Sequence, residues 1–181
     1  MEPEDLVREI LKLIGENPQR EGLKDTPKRV IKAWLEIYSG YKEDPAEILS
    51  TVFEDGACDE MVILKNIEFK STCEHHMEKI IGTADVGYIP DRRVVGLSKL
   101  ARLVDCFAKR LQIQEKMTQE ISGAIVTHLK PLGVAVVIRA SHQCMSCRGI
   151  KKQGATMITS SMTGVFRDNA AARAEFLSLC K

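Results

Sequence analysis

The sequence predicts an α+β domain in which helices cover one face of an antiparallel sheet, and three observations predict it. Apolar residues recur at helical spacing through the first 50 residues. After Gly56 the pattern changes to runs rich in branched residues, which come in two pairs. Two amphipathic helices lie between the pairs, so the order is ααα–ββ–αα–ββ–α, as expected of helices laid over an antiparallel sheet. At 181 residues the chain is long enough to bury a sizeable core. Residues 1–56 form a helical segment and 57–181 the sheet-bearing domain, as one structural unit. The face of the sheet away from the helices needs cover, which points to an oligomer.

Each element follows from its own signals. Leu6, Val7, Ile10, Leu11 and Ile14 share a helical face, with Gly15 as the stop. Thr26-Pro27 supplies a cap and a first-turn proline for a second helix, lined by Val30, Ile31, Trp34, Leu35 and Tyr38. Asp44-Pro45 starts a short third helix through Leu49. Glu60 to Lys70 and Ile80 to Ile89 are the first strand pair. Ser98 caps a helix with the apolar face Leu100, Leu103, Val104 and Phe107. Another helix runs from Gln114 to Leu129, turning Met117, Ile121, Ala124, Ile125 and Leu129 inward until Pro131-Leu132-Gly133 breaks it. Val134 to Ala140 is a buried strand, Ala155 to Phe166 its Thr/Ser-rich partner, and Asp168 opens a last helix to Leu179.

Charge and composition narrow the function. Twenty-six Lys+Arg against 25 Asp+Glu leave a net charge of +1, which excludes a general polyanion binder such as a nucleic-acid protein. Any anionic ligand must therefore be held by a local cluster of cations. The longest run without a polar side chain, Leu132 to Ile138, is far too short to cross a bilayer. The acidic start Met1-Glu2-Pro3-Glu4-Asp5 lacks the features of a secretory signal, so a cytoplasmic, reducing location is expected. There, grouped cysteines point to metal or catalysis before disulfides.

Three of the four histidines and three of the six cysteines fall in two segments, Cys73-Glu74-His75-His76 and His142-Gln143-Cys144-Met145-Ser146-Cys147. Thiolate and neutral imidazole are the donors zinc prefers, and C-x-x-H sets two ligands on one turn. Cys73, His76, Cys144 and Cys147 are enough for a closed structural site; any three of them leave a position open for water. His75 and His142 favour the open arrangement, because each can move protons near neutral pH beside the ligands.

Gly96-Leu97-Ser98-Lys99-Leu100-Ala101-Arg102 is a second constellation. It places Lys99 and Arg102 on the first turn of a helix, where free N–H groups and the dipole also favour an anion such as phosphate. Arg148 lies next to the cysteine cluster and can serve the same anion. Gln112, Gln114 and Glu115 are either a polar helix start or a hydrogen-bonding edge that reads a purine.

CEHH, GYIP, GLSKLARLV, QIQEKMT, GVAVVIRASHQCMSCRG and ITSSMTGVF, in this order, resemble the zinc-dependent GTP cyclohydrolase I family, and GENPQREGLKDTPKR resembles its N-terminal helical segment. The resemblance runs from about Leu6 to the C-terminus. It implies opening of the guanine imidazole ring of GTP to 7,8-dihydroneopterin triphosphate and formate, the first step towards tetrahydrofolate or tetrahydrobiopterin. It also implies the tunnelling fold, with sheets joined into a barrel in a homodecamer whose sites lie between subunits, and an allosteric enzyme. One Zn2+ per subunit would be held by Cys73, His76 and Cys144. His75, His142 and Ser98 would be catalytic. Gln114 and Glu115 would hold the guanine, and Lys99, Arg102, Arg148 and Arg29 the triphosphate. Two positions depart from the family pattern. Met77-Glu78-Lys79-Ile80 follows CEHH where many members have a proline and an aromatic residue, and Cys147 adds a thiol where no ligand is expected. The competing reading is a non-catalytic module stabilised by a four-ligand zinc site.

Overall fold

The computed structural model of the chain describes residues 1–54, 58 and 60–181. Helix α1 (Pro3–Leu13) and α2 (Thr26–Ile37) precede the short α3 (Pro45–Ile48) and the two-residue strand β1 (Val52–Phe53). Next come β2 (Val62–Cys73), β3 (Lys79–Ile89), β4 (Val94–Val95), α4 (Leu97–Ala108), β5 (Leu111–Gln112) and α5 (Gln114–Leu129). The chain continues through β6 (Gly133–His142), α6 (Gln143–Ser146), β7 (Met157–Gly164), α7 (Val165–Asp168) and α8 (Ala170–Leu179). Two compact units result, Met1–Ser39 and Gly40–Lys181, so α3 belongs to the larger one. The boundary read from the sequence, between 56 and 57, lies outside the described residues.

In the smaller unit α1 and α2 pack on each other; Val7 and Leu11 are buried, and Gly15 takes a left-handed φ of 88° just after the helix. Helix α2 starts at Thr26 itself, because Asp25 is the cap residue and Pro27 falls within the first turn.

In the larger unit the sheet order is β5-β2-β3-β6-β7. The β2–β3, β3–β6 and β6–β7 pairs are antiparallel; β5 pairs parallel with the end of β2. Strand β2 runs three residues past its expected end at Lys70: Ser71 and Thr72 still pair with β3, and β5 carries the strand to Cys73. Helices α4 and α5 cover one face through Leu100, Leu103, Val104, Met117, Ile121 and Ile125 against Phe69, Val86, Tyr88, Val136 and Ile138. Helix α5 also carries a polar seam at four-residue spacing. Thr118 Oγ1 lies 2.7 Å from Thr159 Oγ1 and Ser122 Oγ 2.7 Å from Ser161 Oγ, which accounts for the Thr/Ser content of β7.

Three boundaries differ from the sequence reading. Ser98 does not cap α4: Gly96 holds the extended cap conformation, Lys99 N–H donates to Gly96 O at 2.8 Å, and Ser98 is an exposed second helical residue. The final strand is shorter because Gly164, at φ 49°, turns the chain into α7. The last helix is split there, since Asn169 is extended and caps α8 by accepting from the N–H groups of Ala171 and Ala172.

Helix α8 packs on the sheet face opposite α4 and α5. Phe176 and Phe166 meet edge to face, centroids 5.6 Å apart, over Ala135 and Val137. A Cβ at Gly87 would stand 2.7 Å from the Phe176 ring, so the close approach of helix to strand requires glycine there. Strand β2 has a bulge between Leu64 and Ile67, where Asn66 takes a φ of 57° and its N–H donates to Asp85 Oδ1 at 2.8 Å. Asp85 is fully buried and ion-paired with Arg139, whose guanidinium also donates to Cys180 O at 3.3 Å; Lys65 Nζ donates to Leu179 O at 2.6 Å. Asp85→Ala leaves the Asn66 N–H without its acceptor and the Arg139 guanidinium without its carboxylate, with Cys180 O still in reach. Breaking a buried pair costs about 3–5 kcal/mol, and the partial exposure of Arg139 places this one near the lower end. Urea unfolding is expected to show that loss, with Asp85→Asn milder because it keeps an acceptor.

Candidate metal and substrate site

The ends of β2 and β6 meet beside the start of α5. After Cys73 the chain turns tightly: Met77 N–H donates to Cys73 O and Cys73 N–H to Glu78 O, both at 2.8 Å. Met77 closes this turn with a left-handed φ of 56°. Glu74 N–H donates to Gln112 O at 3.1 Å, which ties the turn to β5. His142, the last residue of β6, pairs with Ile80 across the sheet, and α6 then brings Cys144 round on its first turn. The donor atoms of Cys73, His76 and Cys144 lie within 4.8 Å of one another, with Cys73 Sγ 3.8 Å from His76 Nδ1.

The electrostatics of this group suit a cation. Burial raises the Cys144 thiol above its ordinary value, and the adjacent Cys73 raises it further; the Arg148 guanidinium works in the opposite direction. Two thiolates side by side repel each other unless a positive charge sits between them. Two thiols and one imidazole within reach of a common point are a donor set that fits zinc. Burial pushes the His142 pKa down, with the Glu115 carboxylate pulling it up.

A cavity of about 200 Å³ adjoins these residues. Cys73, His76 and Cys144 line it together with His75, His142, Gln114 and Glu115, and Ile80, Ile113 and Met157 form its apolar wall. The structure therefore brings together eight of the residues singled out from the sequence, these seven and Gln112. Gln112 also lines the cavity: its Nε2 donates to Phe107 O at 3.0 Å and to the Glu120 carboxylate at 2.7 Å, while its buried Oε1 has no partner among the described residues. Ile80, Ile113 and Met157 carry no chemical signal in the sequence and are found only by folding it. A larger depression of about 550 Å³, between β2, β3 and α4, is lined by no cysteine or histidine among the described residues.

Other residues singled out from the sequence stand elsewhere. Ser98, Lys99 and Arg102 are on the first turns of α4 and do not line this cavity; Arg102 lines a separate depression with Glu43, Ile48, Asp105 and Lys109. Arg148 is exposed shortly after α6. Arg29 lies in the smaller unit, 3.4 Å from the Asp25 carboxylate. Cys147 is exposed and outside the three-residue donor group.

Comparison with known proteins bears on the whole chain. Residues 3–181 match the family described as GTP cyclohydrolase I. The chain is 58% identical over 174 residues to GTP cyclohydrolase 1 of Wolinella succinogenes, covering 96% of this chain and 93% of that one. It is 52% identical over 179 residues to GTP cyclohydrolase 1 of Brucella anthropi, covering 98% and 84%. Among solved structures, an archaeosine synthase QueF-Like in the apo form is similar with a TM-score of 0.48 and 18% identity, over 57% of this chain and 93% of that one. With a cavity walled by cysteine, histidine and glutamate, and with near-full-length identity above one half, the chain belongs to the GTP cyclohydrolase I family.

Proposed function

We propose that the cavity beside Cys73, His76 and Cys144 is where this chain, a GTP cyclohydrolase I by family, opens the imidazole ring of GTP. The observation that carries this reading is the cluster of three donor side chains on the wall of a cavity also lined by two further histidines and a carboxylate. Zinc held by Cys73, His76 and Cys144 would supply a Lewis acid that lowers the pKa of a water towards neutrality.

The chain's own residues then divide the remaining work. His142 passes to N7 of the guanine imidazole ring a proton that its free ring nitrogen has first taken up from solvent by way of His75, which makes C8 more electrophilic. His75, exposed at the mouth, exchanges protons with solvent. Glu115 accepts from the guanine N–H edge, next to Gln114 on the first turn of α5. Arg148 offsets the charge of the phosphates. The products are 7,8-dihydroneopterin triphosphate and formate, so the chain acts early in folate or pterin biosynthesis. The reading includes the tunnelling-fold barrel, a decameric ring open to allosteric control, and a cytoplasmic location that keeps both thiols reduced. Among the described residues no helix is long and apolar enough to cross a membrane. Incubating zinc-loaded protein with GTP is expected to release formate and, after oxidation, a fluorescent pterin; no product overturns the reading.

Ser98, Lys99 and Arg102 are assigned to the triphosphate, and Ser98 also to the later ring closure. They do not line the cavity of their own chain, and the ring that the resemblance implies would bring them to the cavity of a second copy. Arg29 is assigned to the triphosphate from the resemblance alone. An inactive Cys144→Ser chain and an inactive Lys99→Glu/Arg102→Glu chain are then expected to regain partial activity when refolded together, because ring symmetry joins different patches of identical chains. Mixed oligomers without activity at every ratio would place the whole site in one chain.

A further inference from the structure

We propose that Gln114 is a positioning residue: its side chain holds the His142 ring in the tautomer protonated at Nε2, with the lone pair on Nδ1. This deepens the functional reading above and rests on its assignment of proton transfer to His142.

The hydrogen-bond directions around Gln114 admit one solution. The side chain is fully buried, and its Nε2 lies 3.2 Å from Ile138 O, 3.2 Å from Met157 O and 3.1 Å from Thr159 Oγ1. Backbone carbonyls only accept, so the NH2 group must face them; the flipped amide would set its oxygen against two other oxygens. Oε1 is thereby turned to His142 Nε2, 2.8 Å away. An amide oxygen only accepts, so Nε2 must carry the hydrogen. A neutral imidazole has one N–H, which leaves the lone pair on Nδ1.

A second layer fixes the first. Thr118 Oγ1 donates to Gln114 O at 2.6 Å. Its proton is thus committed, and the hydroxyl of Thr159, 2.7 Å away, donates to Thr118. The remaining lone pairs of Thr159 Oγ1 are left to accept from Gln114. Both N–H groups of the Gln114 amide are spent on strand β6, strand β7 and Thr159, so the side chain has no donor to offer a guanine ring. Its part in the reaction runs through the histidine.

The direct test is neutron diffraction on deuterated, zinc-loaded protein crystallised well above the ordinary histidine pKa. Deuterium on Nε2 facing Gln114 Oε1 is expected; deuterium on Nδ1 with a bare Nε2 overturns the proposal. The kinetic test is Gln114→Met. Removing a partner that orients a functional imidazole costs about 10–100-fold, so kcat for GTP should fall by that factor with zinc content unchanged. The KM should stay within about twofold, since no ground-state contact is lost. An unchanged kcat, a raised KM at full kcat, or a loss of zinc that matches the loss of activity overturns it. Should Gln114→Met fail to fold, Thr159→Val is expected to lower kcat and Thr159→Ser to restore it; equal activity of the two overturns the proposal. If the wild-type protein turns over no GTP, the functional reading fails while the neutron map still decides the tautomer.

Discussion

Cys144→Ser is expected to abolish metal binding and turnover together, whereas Cys147→Ser keeps most of both. Cys144 is one of three donors within 4.8 Å of one another, and two remaining donors hold zinc poorly. Cys147 lies four residues past Gln143, to whose carbonyl its N–H donates at 2.9 Å, and its exposed thiol stands outside the donor group. Metal content per chain, measured beside formate release, checks both variants. Equal loss of metal in the two would mean a four-ligand site with no position for water. Chelating the metal from the wild-type protein tests the same point from the other side. The core between the sheet and α4 and α5 is built from aliphatic and aromatic contacts, so the helical circular dichroism should survive while turnover is lost.

His142→Ala is expected to keep zinc and GTP binding while lowering the chemical step by about 10²–10⁴-fold, the usual contribution of a general acid–base group. His142 is not within the donor group, and its Nε2 is already engaged by Gln114. Rapid mixing of enzyme in excess over GTP, followed by formate assay, isolates the step from product release. Loss of zinc in this variant would instead make His142 a ligand.

The order of elements was legible because each long element carries its own periodicity, and α5 obeys it to the end: Met117, Ile121, Ile125 and Leu129 are all buried. Pairings made by two residues are not legible in this way. Nothing in Leu111-Gln112 announces a parallel partner for Thr72-Cys73, because two residues have no period. The Ser98 cap was misassigned for a related reason: a serine before an apolar run is a cap signal, yet the extended backbone belongs to Gly96 two residues earlier. At the site, a donor cluster drawn from Cys73, His76, Cys144 and Cys147 was legible from residue type, since few other reasons bring cysteine and histidine together; the fold is what sets Cys147 apart. The hydrogen bonds of the Gln114 side chain were not legible. A glutamine beside a glutamate looks like a ligand-reading pair, and only the fold shows that its amide is consumed by Ile138, Met157 and Thr159.

Along a strand, odd and even positions answer to opposite faces, so a strand has a parity. In β3 and β6 the even positions, among them Ala84, Val86, Val136 and Ile138, meet α4 and α5. Strand β2 starts with the same parity, at Val62 and Leu64, and leaves with the other, at Ile67, Phe69 and Cys73. Asn66 is the residue at which the count changes. Deleting that one position would force a choice on everything beyond it. With the early half of β2 held in place, Cys73 would turn away from His76 and Cys144; with the later half held, Val62 and Leu64 would surrender the core to Ile63. A backbone irregularity some distance from any cysteine thus decides whether the first thiol of the site is presented at all.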